Sequence, residues 1–576
     1  MTLINLKSYK KQSFRLIIHN HYPISARFSQ KMRNFVAEIT NIMAKKKAND
    51  LKLEAFPEEI TEDGIKIYGE TSYENQMAVL SHYLHNNREE VDDERKEEII
   101  LAVREFLSRK KFRQDMDEEL SDEQIWMAAE SPLEYNLFDD FFKIPFPAPE
   151  NPRFTFIDLF AGMGGFRIAM QRLGGKCVYS SEFKAAAQQA YLANYGEMPF
   201  GDITKESTKR YIPDHFDILC AGFPCQAFSA AGARKGFADE TRGTLFFEVA
   251  RILKEKRPKG FFLENVEGLV NHDGGRTFRI IIDTLRSLGY KVSHRVLDAS
   301  DFGVAQARRR IYIVGTFDNE VSLDDFPVRK STVSDVLEQG KPLSDNRIVK
   351  LLLKRFSLDE LYGKSIKDKR GGGDNIHSWE IGIKGETTKA ERALLDKMLT
   401  ERRKKKWAEQ WGIDWMDGMP LSREMIASFY QGKDLDKLLE SLVKKRYLVY
   451  EHPKKRITKK TDGGVSYSIR VEDESKPQGY NIVAGKLSFD ISKILDPNDV
   501  APTLVAMDMN KLYVGDNGGL RRLTLREGLR LFGYPEEYVL GMSEREGYDL
   551  LGNTVVVPVI KAVAERLVNE ISKQKD

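Results

Sequence analysis

The chain has 576 residues but little cysteine and no long hydrophobic run. Its cysteines are Cys177, Cys220 and Cys225, and they lack paired metal-ligand spacing. We therefore expect neither a disulfide framework nor a metal site. No stretch reaches membrane-spanning length, and the first residues lack the apolar run of a signal peptide. These absences predict a protein of a reducing cytoplasm, with two to four domains because one core cannot serve so long a chain.

Net charge is also small, at +3, but the charge is unevenly distributed. Residues 351–470 carry 27 Lys and Arg against 18 Asp and Glu, which leaves the rest of the chain at −6. Concentrated positive charge favours a polyanionic partner at this segment. A solvated helical surface is the alternative, and it is preferred for the basic run 402–406 taken alone.

The first part of the chain is predicted to be a helix-rich accessory domain, residues 1–143. Residues 29–46 and 94–110 show apolar positions at helical spacing among charged ones. Four prolines then fall within residues 144–153, which indicates a stiff linker.

Residues 154–339 alternate between strand and helix patterns. Such alternation predicts an α/β fold with a doubly wound, mostly parallel sheet. The predicted strands are 155–160, 176–182, 216–221, 260–266 and 310–317. The predicted helices are 164–173, 184–195 and 277–288.

The alternation is lost over residues 340–485, a large insert that contains four of the five tryptophans. Within it, residues 433–445 have a helical pattern. Two strand-like runs, 447–450 and 465–470, flank a basic turn, and such a helix with a basic hairpin is compatible with a winged-helix-like nucleic-acid reader. Regular patterning returns in residues 486–576, which end in an apolar helix predicted from residue 555 to 572.

A glycine-rich turn, Asp158–Gly165, joins the first predicted strand to a helix. Glycines let a ligand approach the backbone, and a helix N-terminus favours polar or anionic groups. Taken alone, this turn could bind NAD, FAD or S-adenosylmethionine, or it could be only a tight turn. Glu182 ends the next strand and suits ribose hydroxyls, and Asp202 is placed at a third strand end where it suits an adenine amino group. Together they favour a cofactor site.

Cys225 follows the predicted strand 216–221 in a Gly-Phe-Pro-Cys-Gln turn. It is therefore expected at the carboxyl edge of the sheet, where open α/β folds bind ligands. Glu264 ends a neighbouring strand, and Arg308 and Arg310 enter the next one. A lone Cys or strand Glu is usually structural. Together these groups offer a nucleophile, a proton-sharing carboxyl group and cationic clamps.

Five short motifs of this chain resemble, in the same order along the sequence, those of the DNA (cytosine-5)-methyltransferases. They look most like the motifs of the bacterial Dcm-type branch. The motifs are Asp158–Gly165, Gly222–Gln226, Glu264–Val266, Gln306–Arg310 and Gly552–Val555, with residues 521–535 similar to the family's penultimate motif. The resemblance covers residues 154–335 and 485–570. One departure is Ala227, where the family usually has a proline that shapes a loop.

The resemblance implies the S-adenosylmethionine-dependent methyltransferase fold and its chemistry, with no metal. The Cys225 thiolate would add to carbon 6 of a flipped-out cytosine, so that carbon 5 can accept a methyl group. Protonated Glu264 would bond ring nitrogen 3 and the exocyclic amine. Arg308 and Arg310 would hold the base and the thiolate.

The resemblance also implies binding residues, and it places the target-recognition domain at residues 340–485. The implied residues around S-adenosyl-L-methionine are Phe160, Gly162, Gly164, Gly165, Glu182, Phe183, Asp202, Ile203, Pro224, Asn553 and Val555. The implied residues on the DNA side are Gln226, Ser229, Arg234, Lys235, Arg242 and Thr503, the last of which supports the catalytic face.

We therefore expect a sequence-specific methyltransferase of double-stranded DNA in a bacterial restriction–modification context. The enzyme is expected to be cytoplasmic and nucleoid-associated, to act on DNA as a monomer and not to associate with a membrane. One alternative is a tRNA cytosine-5 methyltransferase, which the large basic insert disfavours. Another is a catalytically silent DNA-binding regulator, which intact Cys225, Glu264 and Arg308 disfavour. For residues 1–143, DNA contact, binding of a cognate restriction endonuclease, transcriptional regulation and plain helical support all stay open.

Overall fold

The structure is a computed structural model. It describes residues 59–60, 66–67, 73–86, 144–224, 245–367, 375–415, 418–460, 466–483, 489–506 and 509–573. The helices predicted at 29–46 and 94–110 lie outside these residues, and so do Cys225, Gln226, Ser229, Arg234, Lys235 and Arg242. Across the described ranges, no helix combines the length and hydropathy needed to cross a bilayer.

The strands and helices are numbered in chain order. The strands are β1 (Glu59–Ile60), β2 (Lys66–Ile67), β3 (Phe154–Leu159), β4 (Gly175–Ser181), β5 (Ile218–Gly222), β6 (Gly260–Val266), β7 (Lys291–Asp298), β8 (Arg309–Thr316), β9 (Ser365–Ile366), β10 (Asn375–Ile376), β11 (Leu448–Glu451), β12 (Lys454–Lys460), β13 (Ser466–Glu472), β14 (Gly479–Ile482), β15 (Lys493–Ile494), β16 (Leu512–Asp516) and β17 (Gly519–Arg522). The helices are α1 (Tyr73–Asn86), α2 (Gly165–Gln171), α3 (Ala185–Tyr195), α4 (Glu206–Lys209), α5 (Leu245–Lys256), α6 (Arg276–Ser287), α7 (Arg347–Leu353), α8 (Leu358–Leu361), α9 (Lys389–Glu401), α10 (Lys405–Trp411), α11 (Arg423–Phe429), α12 (Leu435–Lys444), α13 (Leu525–Leu531), α14 (Glu544–Asn553) and α15 (Val557–Ser572).

The chain divides into two compact units. The first unit takes the described parts of residues 1–331, together with 502–506 and 528–576. The second takes 332–501 and 507–527. The chain therefore leaves the first unit, builds the second, and returns.

The first unit is built on a six-stranded sheet in the order β4-β3-β5-β6-β8-β7. Strands β4, β3, β5 and β6 are parallel, whereas β8 runs antiparallel to both β6 and β7. The predicted doubly wound, mostly parallel sheet is thus confirmed, with β8 running against its other strands. A short connection joins β7 to β8, and only an antiparallel pair can be joined so briefly.

Helices cover both faces of this sheet. Alternate strand residues point to opposite faces, and Leu219 and Leu263 lie in one apolar core with Phe246 of α5 and Ile281 of α6. On the opposite face, Phe262 packs edge-on against Phe166 of α2, with ring centroids 5.0 Å apart. Helix α15 packs along α2. Burial on both faces explains the continuous apolar runs of the central strands.

The second unit has a five-stranded sheet, β10-β9-β15-β16-β17, and two separate strand pairs. The hairpin predicted from 447–450 and 465–470 is wrong. Strand β11 pairs with the distant β14, and the basic run itself forms β12, which pairs with β13. The run Lys454–Lys460 has Ile457 as its one apolar residue, so it lacks the apolar alternation by which a strand is predicted from sequence.

Arg521 lies at the centre of a buried ionic cluster in the second unit. Its Nε donates to Asp516 at 2.7 Å, and its Nη2 donates to Glu527 at 2.7 Å and to the Glu338 carbonyl at 2.6 Å. The Arg521 side chain is 2% exposed and that of Glu527 is fully buried. Removing the cation would leave two carboxylates without their partner, a costly arrangement in a buried site.

The variant Arg521→Ala should lower the free energy of unfolding of the second unit by about 3 to 5 kcal/mol. Urea denaturation followed by tryptophan fluorescence measures this, because four of the five tryptophans lie in residues 379–415. The matched control is Arg423→Ala, which breaks an exposed bidentate pair with Asp436. Equal denaturation midpoints for the two variants would show that the buried cluster does not stabilise the unit.

Candidate active site

The backbone of the glycine-rich turn after β3 is packed against Tyr195 at Gly164 and has open space beside it at Gly162. Gly164 has φ +77°, and a Cβ there would lie 2.3 Å from the Tyr195 ring. The Tyr195 hydroxyl donates to the Gly164 carbonyl at 2.7 Å, which fixes the turn. By contrast, a Cβ at Gly162 would meet no described atom within 4 Å. The turn therefore leaves room for a ligand over Gly162 while Tyr195 packs behind it.

Glu182 ties this turn to the end of β4. Its two carboxylate oxygens accept from the backbone N–H of Gly162 at 2.9 Å and of Lys184 at 2.8 Å. Burial raises the pKa of Glu182, although these hydrogen bonds and Lys184 oppose the shift. Each oxygen keeps a lone pair for a further hydroxyl donor. Its neighbour Phe183 is 55% exposed.

Asp202 does not end a third strand, contrary to our expectation. The backbone pairs with β4 only through one bridge, between Ser181 and Phe200. Asp202 Oδ1 then accepts from the N–H and hydroxyl of Thr204 at 2.9 and 2.8 Å, so the local turn holds one of the two carboxylate oxygens. The next residue, Ile203, is buried in the core. The bridge nevertheless brings this loop beside the end of β4.

The C-terminal return closes the other side of the glycine turn. Val555 crowds the turn so closely that a Cβ on Gly165 would lie 2.6 Å from its Cγ2. The same side chain would meet a Cβ on Gly222 at 3.6 Å. Asn553 is exposed, and its amide donates to the Asp549 carbonyl at 2.8 Å. Gly165, Gly222 and Val555 therefore meet at one place, and of these Gly165 and Val555 were predicted to lie at the cofactor.

Glu264 lies at the end of β6, 8% exposed. Arg310 approaches it, with 3.2 Å between Nε and Oε1. Burial raises the pKa of Glu264 even though Arg310 and Arg308 act in the opposite direction. A carboxyl group with a raised pKa is suited to hold a proton against a substrate.

Arg308 is buried and braces the backbone. Its Nη1 donates to the Leu504 carbonyl at 2.8 Å, and its Nη2 donates to the Thr554 carbonyl at 3.0 Å. The guanidinium also lies over the ring of Phe532, 5.1 Å from its centroid. Burial, with Arg310 nearby, lowers the pKa of Arg308 to about 10. Of the two predicted clamps, Arg310 therefore pairs with Glu264, while Arg308 joins distant chain segments.

Two further residues complete this brace. The Thr503 hydroxyl donates to the Ala307 carbonyl at 2.7 Å, next to Arg308, which agrees with a supporting place for Thr503. Gln306 is fully buried, with its amide donating to Leu531 O at 2.9 Å and its oxygen accepting from Leu504 N at 3.2 Å. The sequence places Gln306 in the Gln306–Arg310 motif but does not predict these contacts.

The end of β5 is fixed immediately before the predicted nucleophile. The buried Asn265 donates through Nδ2 to the Phe223 carbonyl at 2.8 Å. Pro224 is exposed, and Cys225 lies outside the described residues. Asn265 was also missed as a positioning residue, and its signal was an amide directly following Glu264 at a strand end. The two other cysteines, Cys177 and Cys220, are buried.

The family model described as C-5 cytosine-specific DNA methylase matches residues 154–569. The chain belongs to this family. It is 56% identical to the type II methyltransferase M.NlaIV of Neisseria lactamica and 55% identical to M.NgoBV of Neisseria gonorrhoeae, in each case over 72% of this chain and 99% of the relative. It is also 40% identical to the type II methyltransferase M.BanI of Aneurinibacillus aneurinilyticus, over 73% of this chain and 98% of the relative.

As a member of the C-5 cytosine-specific DNA methylases, the chain is a DNA cytosine-5-methyltransferase. The predicted family and enzyme class are confirmed. The comparisons favour neither of the two alternatives, a tRNA methyltransferase and a catalytically silent regulator. Enzymes of this family methylate DNA with S-adenosylmethionine as the methyl donor. Within the described ranges, no group of three or more His, Cys, Asp or Glu side chains is arranged to hold a metal ion.

Asp158, the first residue of the glycine motif, is a fully buried acid whose carboxylate has no side-chain hydrogen bond among the described residues. Burial raises its pKa to about 8, with Glu182 adding to the shift and Arg167 opposing it. An unfolded Asp loses its proton near pH 4. The folded methyltransferase therefore binds this proton more tightly, and stability falls as pH rises from about 4 to about 8.

The variant Asp158→Asn should remove this pH-dependent loss of stability. Between pH 5 and pH 8, the difference in unfolding free energy between variant and wild type should shift in the variant's favour by at least about 2 kcal/mol. Denaturant titrations at several pH values measure it. The control is Asp217→Asn, because the ion pair with Lys259 lowers the pKa of Asp217 against burial and its effect lies below this window. A difference independent of pH for Asp158→Asn would contradict the assignment.

Proposed function

We propose that this enzyme methylates carbon 5 of a flipped-out cytosine at a defined sequence in double-stranded DNA, with Cys225 as nucleophile. The observation that carries the proposal is the meeting of three features at one sheet edge. Glu264 is paired with Arg310, Val555 closes the glycine turn, and the strand end leading to Cys225 is held by Asn265. The relatives are named type II methyltransferases, which supports a bacterial restriction–modification role.

The cradle around the glycine turn fits S-adenosyl-L-methionine. The space over Gly162 is open, Glu182 keeps acceptor capacity, and Phe183 presents an exposed ring. When bound, this cofactor supplies an electrophilic methyl group. The residues that we propose to hold it are Phe160, Gly162, Gly164, Gly165, Glu182, Phe183, Asp202, Ile203, Pro224, Asn553 and Val555.

Carbon 5 of cytosine is a poor nucleophile, and the side chains of the site compensate for this. The Cys225 thiolate adds to carbon 6, which moves an electron pair towards carbon 5. In its protonated form, which burial favours by raising the pKa, Glu264 bonds ring nitrogen 3 and offsets the charge that the addition creates. Arg310 holds Glu264 in place. After methylation, loss of the carbon 5 proton breaks the bond between sulfur and carbon 6.

The base must leave the helix for this chemistry, because attack on carbon 6 comes from above the ring, where stacking blocks it in a duplex. We assign Gln226, Ser229, Arg234, Lys235 and Arg242 to the loop that meets the flipped nucleotide. We also assign Thr503, whose hydroxyl donates to the Ala307 carbonyl, to the support of the catalytic face. A single chain supplies all these groups, which supports a monomer on DNA.

We assign residues 340–485 to target recognition, and the hairpin β12–β13 supports this assignment. Arg456 lies directly opposite Arg470 in the antiparallel register, and both side chains are exposed. Like charges directly opposite each other destabilise a strand pair. A phosphate between the two guanidinium groups would remove that repulsion. Action on chromosomal DNA implies a cytoplasmic, nucleoid-associated enzyme, with a cognate restriction endonuclease as its partner in the cell.

The variant Cys225→Ser should lower the rate of methyl transfer to duplex DNA by at least about a thousandfold while DNA binding persists. The rate is measured with a radiolabelled methyl donor on duplex DNA and, in parallel, on tRNA. The control is Cys177→Ala, a buried thiol whose pKa burial raises to about 12. Wild-type rates in Cys225→Ser would remove Cys225 as the nucleophile, and activity on tRNA alone would refute the DNA substrate.

The double variant Arg456→Gln with Arg470→Gln should weaken duplex binding and make it less dependent on salt. Each lost phosphate contact lowers the slope of log Kd against log salt concentration by about 1. Fluorescence anisotropy with a labelled duplex over a salt series measures both quantities. Arg423→Gln is the control in the same unit, because Arg423 is already paired with Asp436. An unchanged salt slope in the double variant would place the DNA elsewhere.

A further inference from the structure

Helix α1 lies outside the part of the chain that matches the family, which begins at residue 154. It nevertheless belongs to the first unit. Met77 and Ala78 are fully buried and lie in the same apolar core as Tyr179 and Phe200. Since Tyr179 belongs to β4 and Phe200 bridges to β4, the helix packs beside the strand that ends in the proposed cofactor site.

Polar side chains of α1 hold the loop that presents Asp202. Ser81 Oγ accepts from the Met198 N–H at 2.8 Å. Asn75 Oδ1 accepts from the Gly201 N–H at 3.4 Å, and its Nδ2 donates to the Ser207 carbonyl at 3.0 Å. These bonds reach the backbone both before and after Asp202. They replace the strand ladder that this segment lacks beyond the bridge at Phe200.

The same helix also reaches the segment that carries Glu182. Gln188 donates through Nε2 to Glu74 Oε1 at 3.0 Å and to the Glu182 carbonyl at 2.6 Å. The approach is close, because a Cβ on Gly201 would lie 2.8 Å from the Glu74 carboxylate. Glu74 of α1 thus contacts both Gly201, which precedes Asp202, and the Gln188 amide, which donates to the Glu182 carbonyl.

A buried ionic triad adds a third attachment. Glu197 Oε2 lies 2.6 Å from Arg167 Nη1 and 3.3 Å from His82 Nδ1. Arg167 is fully buried on α2, the helix that follows the glycine turn. Helix α1 is therefore linked to all three parts of the proposed cofactor site: the glycine turn, the end of β4 and the Asp202 loop.

We propose that α1 is a positioning element for cofactor binding, and that Asn75 and Ser81 hold the Asp202 loop in its binding geometry. The affinity of this enzyme for S-adenosylmethionine then depends on a segment outside the family domain. This inference rests on the cofactor site proposed above. A loop with few backbone bonds of its own samples other conformations when its supports are removed, and only the competent fraction binds.

The test uses full-length Asn75→Ala, Ser81→Ala and the double variant. Each single variant removes hydrogen bonds to the loop, so the KM for S-adenosylmethionine should rise several-fold, and in the double variant by about tenfold or more. The kcat and the KM for duplex DNA should stay within about twofold of wild type, a split that general loss of stability would not produce. Asn319→Ala and Ser287→Ala are matched controls, because these exposed side chains bond to Glu570 and to the Thr284 carbonyl.

Direct calorimetric titration with S-adenosylmethionine separates this inference from the function on which it rests. The variant Asp202→Ala should bind more weakly than wild type, whatever α1 does. Loss of affinity in Asp202→Ala, with wild-type affinity in the Asn75 and Ser81 variants, would overturn the role of α1 alone. Unchanged affinity in Asp202→Ala would overturn the cofactor site and the inference together. Should the double variant fail to fold, Ser81→Ala alone decides the outcome.

Discussion

Arg308 joins parts of the chain that are nearly 250 residues apart, and the geometry of the site depends on this connection. The chain leaves the first unit at residue 331 and returns at residue 502. The returning segment is therefore not held against the sheet by a short peptide connection. The guanidinium does so by donating to the carbonyls of Leu504 and Thr554. Because the group is buried and permanently charged, these bonds are difficult to replace by water. The return in turn carries Val555 to the glycine turn.

The electrostatics of the site follow from the same burial. A carboxyl group and two guanidinium groups occupy a small volume with little water, and the arginines favour an ionised Glu264. Burial outweighs them and raises the pKa of Glu264. Since two donors of Arg308 are used by backbone carbonyls, Arg310 is left as the direct partner of Glu264. Arg308 thereby braces the backbone and Arg310 pairs with Glu264, although both occur in one short motif.

The sequence predicted the central strands well, because burial on both faces requires the apolar runs that identify them. Strand β7 was missed, since it is an edge strand with exposed Lys291 and Arg295 among its residues. The position of Glu264 at a strand end was predicted for the same reason as the strand itself. The contacts of Gln306 and Asn265 were not, because each pairs with backbone far away in sequence and no local pattern records such a partner.

Helix α1 packs against the sheet beside the proposed cofactor site, although it lies outside the part of the chain that matches the family. Nearly the whole length of each relative aligns with 72 to 73% of this chain, so the family fold does not need the added segment. Once its apolar face joined the core at Met77 and Ala78, its polar side chains met the least regular part of the site. There Ser81 accepts a hydrogen bond from the Met198 N–H and so supports backbone that no strand supports.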